Sequence, residues 1–524
     1  MPRLALAAVL LCGSALAAQA QVLRWANDGD VNSMDPYTRQ ETFLLAFNSH
    51  IYEPLVRRNR DMQPEPALAE RWEQPSPTIW RFHLRRGVTF TDGTPFTADD
   101  VVFSAQRARA QGSNVQSFLA SVKEVRKIDD HTVEFETMRP DPIFVLGITS
   151  WGIMSKAWAE KNNATRPADL TTREENFATR NAMGTGPFRL VLREPDRRTI
   201  LERNPAWWDK PAHNIERAEL NIIANDATRV AALLSGEIDF IYTVPPQDVE
   251  RIRRSPGVNI IQGPELRTIY LGLDQSRPEL LKSDVKGRNP FQDVRVRRAM
   301  YQAIDVNAIQ RAVMRGQSRP TELLWGPGVN GFREEDDVRL PVDIEGAKKL
   351  LAEAGYPNGF GVTLDCPNDR YVNDEAICTA VVAMLARIGV HVTLNAQTRA
   401  RFFAEVNAPR YNTSFYLLGW TPATVDAHNV LFNLLGTRDG TRGVFNNGGY
   451  ASPALDQLAD QIAVETDPAK RQAMISQAAR MIRDDVAYIP LHQQQIVWAA
   501  RSNVEVVQTP DNSIQLRHFR INGR

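Results

Sequence analysis

The sequence has no excess of either charge: Lys+Arg and Asp+Glu both number 62 in 524 residues. No basic stripe is available to follow a phosphate backbone, which argues against nucleic acid as the main partner. Familiar catalytic signatures are also lacking. There is no G-x-S-x-G, no H-E-x-x-H and no Walker loop. The eight histidines (50, 83, 131, 213, 391, 428, 492 and 518) are scattered without metal-ligand spacing. No resident metal or cofactor is therefore expected, and a hydrolase would need a site assembled from distant positions. Cysteine is scarce: only Cys12, Cys366 and Cys378 occur. Long apolar runs are scarce too, and the single one lies at the N-terminus.

That run reads as a secretory leader over residues 1–20. Arg3 supplies the positive end, residues 4–11 the apolar segment, and Ala18-Gln19-Ala20 a cleavage site before Gln21. The segment is too short to span a bilayer. Leu11 stands before Cys12 where a lipidated cysteine needs a small residue, so export without lipidation is expected. Processing leaves Cys366 and Cys378. In an oxidising compartment they form either a disulfide closing a short loop or two small buried thiols, and their spacing leaves both open.

Hydrophobic residues make up 43% and charged residues 24%, the balance of a soluble globular chain. The length calls for two or three domains. Residues 22–27 alternate and predict a strand, and a helix is expected over 41–52. Thr97 is a predicted N-cap with Asp99 and Asp100 in the first turn, and a β-hairpin turns at Asp129-Asp130. Residues 218–243 read as strand, helix and strand, with Asp226 as cap and Gly236 as stop. That pattern predicts a parallel pair with a right-handed crossover. Near Gly263-Pro264 the chain changes character, and a strand over 268–274 opens what reads as a separate lobe. Asp293, Asp305 or Asn307, and Asp343 open its helices.

The second lobe is most legible from 360 to 420. Strands are expected over 360–366, 390–394 and 415–418, with helices from Asp374 and from Arg399 between them. This βα alternation predicts an α/β fold with a parallel sheet, whose strand carboxyl ends share one ligand-binding edge. Two loops fall on that edge: 366–374, carrying Arg370, and 419–429, carrying Trp420, Asp426 and His428. Arg370 and Trp420 are thus expected to face one crevice. Arg370 offers a planar fork of donors suited to a carboxylate. Trp420 is a candidate stacking wall, Asp426 a candidate partner for a cationic group, and His428 an imidazole without a partner for metal binding. Strands over 488–491 and 495–500 close the sequence, the last returning to the first lobe.

Six stretches carry a family resemblance: TDGTPFTADDVVFS (91–104), GTGPFRL (184–190), RNPAWW (203–208), RVAALLSGEIDF (229–240), DVRVRRAMYQAID (293–305) and LLAEAGYPNGF (350–360). Together they resemble the family 5 extracytoplasmic solute-binding proteins of ABC importers. These include periplasmic dipeptide-, oligopeptide- and nickel-binding proteins. The resemblance implies a two-lobed periplasmic-binding-protein fold of the class II type, with an extra subdomain inserted in lobe 1. Lobe 1 would comprise 21–56, 186–265 and 497–524, the insertion 57–185, and lobe 2 266–496.

It further implies a periplasmic, non-enzymatic protein that closes over a short peptide or peptide-like solute and hands it to an inner-membrane permease. In dipeptide-binding relatives an aspartate three residues after the loop tryptophan holds the peptide amine. Here that position is Ala423, and Asp426 is the first candidate to replace the missing carboxylate. Arg370 resembles the arginine that receives the peptide carboxylate. Gly419 and Thr421 could hydrogen-bond an extended peptide, and Glu41 and Thr42 lie where lobe 1 contributes contacts. A nickel chelate, haem, opine or glycoside remains the alternative ligand, and a secreted hydrolase the alternative class. The oligomeric state is open.

Overall fold

A computed structural model describes residues 21–523, so the expected leader lies outside the described residues. One sheet of 11 strands runs through the molecule. From one edge its order is Val390–Gln397, Phe360–Pro367, Phe415–Trp420, Val258–Leu273, Ile489–Arg501, Phe240–Ile241, Val22–Asn27, Arg217–Ile222, Arg198–Arg203 and Phe188–Glu194. The short strand Ser318–Pro320 pairs with Ile489–Arg501 off this path. Phe360–Pro367 is parallel to both Val390–Gln397 and Phe415–Trp420, as the βα alternation requires.

The central strands of lobe 2, Phe415–Trp420 and the second half of Val258–Leu273, are buried on both faces, which is why residues 415–418 read as a continuous apolar run. Ile269, Leu271, Phe415 and Leu417 point into one core with Met300, Leu364 and Val381. Tyr270, Tyr416 and Leu418 point into another with Trp325, Leu431 and Ile475. The period of two sorts neighbours to opposite sides. Lobe 1 repeats the arrangement: Trp25, Phe240 and Trp498 join one core, while Ala26, Ile241 and Ala499 join the other.

A separate four-stranded antiparallel sheet, ordered Ala69–Ser76, Ile79–Leu84, Thr132–Thr137 and Val122–Asp129, packs on lobe 1. Its Phe82 and Phe135 share the core of Trp25 and Phe47. Thr97 caps the helix Ala98–Arg109 in a full capping box with Asp100. The GTGPF stretch runs against residues 50–52. A Cβ on Gly184 would sit 2.0 Å from the Ile51 carbonyl oxygen, so only glycine allows this approach. The two indoles of RNPAWW donate to one buried carboxylate, Glu53, at 3.0 and 2.8 Å.

Several local expectations change. Arg217–Ile222 and Phe240–Ile241 do not pair with each other; each is parallel to Val22–Asn27, which lies between them. The helix between them is capped by Asn225, whose side chain accepts the Thr228 N–H, and Asp226 is its first residue. The chain does not break at Gly263-Pro264. Val258–Leu273 is one strand of 16 residues, and Ile489–Arg501 is one of 13. These two pair antiparallel and carry the chain between the lobes. Each crosses the seam with polar or turn-forming residues, Gly263-Pro264-Glu265 in one and Gln493-Gln494-Gln495 in the other. That interruption makes each read as fragments. Their ladder shifts register between Pro264 and Thr268.

Cys366 and Cys378 form a disulfide, joining the end of strand Phe360–Pro367 to the helix Asp374–Ala386. It brackets the loop that holds Arg370. Replacing both cysteines with alanine is expected to lower stability by about 3 kcal/mol, the loop-entropy value for so short a ring. Urea unfolding of the double variant under oxidising conditions checks this. A wild-type midpoint would remove the disulfide from any role in stability.

Candidate functional site

On the lobe 2 side, the loop after Phe360–Pro367 is shaped by Asp374. Its Oδ2 accepts the backbone N–H of Arg370 at 3.0 Å and of Tyr371 at 2.9 Å. This fixes two adjacent side chains at the carboxyl edge of the sheet. The Tyr371 hydroxyl donates to the Gly419 carbonyl at 3.3 Å, bridging to the neighbouring strand. The Arg370 and Arg267 guanidiniums lie 5.2 and 5.9 Å from the Tyr371 ring centre. A Cβ at Gly419 would come within 2.8–3.0 Å of Ile269, Tyr371 and Arg267, so its lack of a side chain admits both.

On the lobe 1 side, Glu41 is the N-cap of the helix Thr42–Asn48. Its Oε2 accepts the Leu44 N–H at 3.1 Å, and its Oε1 lies 3.6 Å from Arg370 Nη2. Thr42 begins that helix, half-buried. Tyr242, just past Phe240–Ile241, packs against Phe43 and donates to the Asn512 carbonyl at 2.9 Å. Its hydroxyl is held well above its ordinary pKa by burial, with Arg267, Glu265, Glu41 and Arg370 as its charged neighbours. Charged groups of both lobes thus meet around Arg370. Two further contacts cross the seam: Arg58 Nη2 donates to the Ala423 carbonyl at 2.5 Å, and Gly29 lies against Arg399.

The remaining expected residues divide. Gly419 lines the Tyr371 side, and the Thr421 hydroxyl is buried without a partner. Trp420, next along the strand from Gly419, leaves on the opposite face. Its indole N–H donates to Asn429 at 2.9 Å and its ring lies 4.9 Å from Phe445. The direct link between the Arg370 loop and this strand runs through Tyr371 and the Gly419 carbonyl.

Asp426 does not take the place of the carboxylate missing at Ala423. It is fully buried, both oxygens are held by Arg471 at 2.8 Å, and it caps the helix Ala427–Asn433. His428 follows it, with Asp426, Arg471, Arg139 and Asp460 as its charged neighbours, none of them from the Arg370 group. Tyr371, Tyr242, Arg267 and Glu265 were not expected. The available signal was the charged pair in GPELR, set in an otherwise uncharged strand. Among the described residues no group of three or more His, Cys, Asp or Glu could hold a metal, and no helix is long and apolar enough to cross a membrane.

Buried titratable groups make stability depend on pH in two directions. Burial pushes His50, His213 and His428 down to about 4, and His492 and His518 to about 3. The unfolded chain binds protons on these rings below about 6.5, so stability is lost as pH falls from there toward 4. Burial pushes Glu322 up to about 8 and Asp374 up to about 6, which acts the opposite way. Burial raises Glu53, Asp100, Asp141 and Glu265 as well. Stability is therefore expected to rise slightly from pH 8 to 6.5 as the buried Glu322 carboxyl takes up its proton, and below 6.5 the imidazoles oppose the raised carboxyls. Urea midpoints across this range check it. A midpoint that falls between pH 8 and 6.5 would contradict a raised Glu322.

Comparison with known proteins accords with this architecture. Residues 63–442 match the family described as bacterial extracellular solute-binding proteins, family 5, middle. The chain is 27% identical over 517 residues to the periplasmic oligopeptide-binding protein OppA of Escherichia coli K12, covering 93% of this chain and 90% of that one. It is 23% identical over 509 residues to the glutathione-binding protein GsiB of the same strain, covering 96% and 94%. In fold it resembles the periplasmic binding protein DppA of Helicobacter pylori, solved with the peptide STSA. The TM-score is 0.83 at 24% identity, over 96% of this chain and 98% of that one. With the family matched over more than half its length, the chain belongs to family 5 of the bacterial extracellular solute-binding proteins.

Proposed function

We propose that this protein captures a short peptide, or a peptide-like solute with a free carboxylate, between its lobes and delivers it to the permease of an ABC importer. The observation that carries this reading is Arg370. A loop on the ligand edge of lobe 2 holds its side chain, 17% exposed, against lobe 1, where its ion-pair partner Glu41 lies 3.6 Å away. A solute carboxylate can replace that long contact with two direct hydrogen bonds. The names of the relatives support the solute class: OppA is called oligopeptide-binding, and GsiB glutathione-binding.

The same reading makes the protein periplasmic after loss of residues 1–20, and a binder that releases its solute unchanged. It divides the chain into lobe 1 (21–56, 186–265 and 497–524), an inserted subdomain (57–185) and lobe 2 (266–496). The register shift between Pro264 and Thr268 supports a hinge at the 265/266 boundary.

A thermal-shift screen tests the ligand class. Di- to pentapeptides are compared with nickel chelates, haem, opines and glycosides. A peptide at about 100 times its Kd should stabilise the fold by about 2.7 kcal/mol. Silence across all peptides would sink the peptide assignment. Recovering the peptide intact by mass spectrometry is the expected result, and cleaved products would point instead to a hydrolase.

A further inference from the structure

The strand Val258–Leu273 carries a charged pair inside the protein that neither lobe's packing accounts for. Glu265 is 2% exposed and Arg267 6%. Both lie in the irregular stretch between Pro264 and Thr268, where the ladder to Ile489–Arg501 loses register. The Leu266 N–H between them donates instead to the Pro510 carbonyl at 2.9 Å. An irregularity of this kind re-aims the side chains it carries.

The pair is only half satisfied. Glu265 Oε1 lies 3.0 Å from Arg267 Nη1 and accepts from Asn512 Nδ2 at 3.2 Å. Its second oxygen, Oε2, is wholly buried and has no partner. A buried carboxylate oxygen left without a donor is costly, and native structures seldom keep one without a reason. The pair is also continuous with the Arg370 group. Arg267 contacts Gly419 and faces Tyr371, while Arg370 and Asp511 are among the charges that act on Glu265. Around the seam, Arg267 and Arg370 stand among the carboxylates Glu41, Glu265, Asp28 and Asp511, so both signs of charge are presented. That suits a solute carrying one charge of each sign.

We propose that Glu265 reads a cation: its free Oε2 accepts a hydrogen bond from the primary ammonium of a zwitterionic, amino-acid-derived solute whose carboxylate lies on Arg370. This rests on the assignment of the Arg370 crevice as the solute site. Arg267 then acts as a positioning residue, holding Oε1 so that Oε2 faces the incoming ammonium.

The test compares di- to pentapeptides with their N-acetylated forms on the intact mature protein, wild type and Glu265→Gln, by calorimetric titration. Wild type is expected to bind the free-amine forms about tenfold or more tightly than the acetylated ones, the scale of a hydrogen bond between charged groups. Glu265→Gln keeps the shape of the side chain and should lose that preference while still favouring free acids over C-terminal amides. Equal binding of both forms by wild type, or a preference that survives Glu265→Gln, would overturn the role of Glu265 and leave the peptide reading standing. No binding of either form would remove the peptide reading itself. Should Glu265→Gln fail to fold, the acetylation preference of wild type together with that of Asn512→Ala, which loosens Glu265, decides the matter: an unaltered preference in Asn512→Ala counts against the proposal.

Discussion

Asp426→Ala is expected to destabilise the fold by about 3–5 kcal/mol, the cost of breaking a buried ion pair from one side. Arg471 grips both Asp426 oxygens at 2.8 Å, Asn330 donates to Oδ2 at 2.7 Å and the His428 N–H to Oδ1 at 2.8 Å. Without the carboxylate, the Arg471 guanidinium stays buried with the Ile462 carbonyl at 3.1 Å as its remaining acceptor. The helix Ala427–Asn433 loses its cap at the same time. Asp426→Asn should cost less, because an amide can still cap the helix and accept one bond from Arg471. Denaturant unfolding of the two variants measures both effects. A variant that loses solute affinity while keeping its stability would return Asp426 to the binding site.

Arg370→Ala is expected to weaken binding of carboxylate-bearing solutes by about 1.5–3 kcal/mol, or about ten- to a hundredfold in Kd. The loss should be specific. A C-terminally amidated peptide, which offers no carboxylate, should bind wild type and variant about equally. Arg370→Lys should recover only part of the affinity, since an ammonium cannot present two parallel donors. Stability of the solute-free protein should change little. The substitution removes a 3.6 Å ion pair to a partly exposed Glu41, and Glu41 keeps its capping bond to Leu44. Calorimetric titration with free-acid and amide forms separates these effects. An unchanged affinity for the free acid would remove Arg370 from the site.

What could be read along the chain and what could not divide by distance. Strands such as Phe360–Pro367 and Phe415–Trp420, and caps such as Thr97, Asp293 and Asp343, were legible because each rests on a pattern or a bond within a few residues. The alternation of strand and helix was enough to predict a parallel sheet, its ligand edge and Arg370 on it. Side-chain roles at that edge depend on partners far away. Asp426 is consumed by Arg471, 45 residues on; Ala423 is held by Arg58, 365 residues back; and Glu265 shares an oxygen with Asn512, 247 residues on. The sequence singled out Asp426 and passed over Glu265. Packing neutralises one on both oxygens and leaves the other with an oxygen free. Local chemistry determined the scaffold and the place of Arg370 at the sheet edge, and tertiary contact alone decided which carboxylate kept an oxygen without a partner.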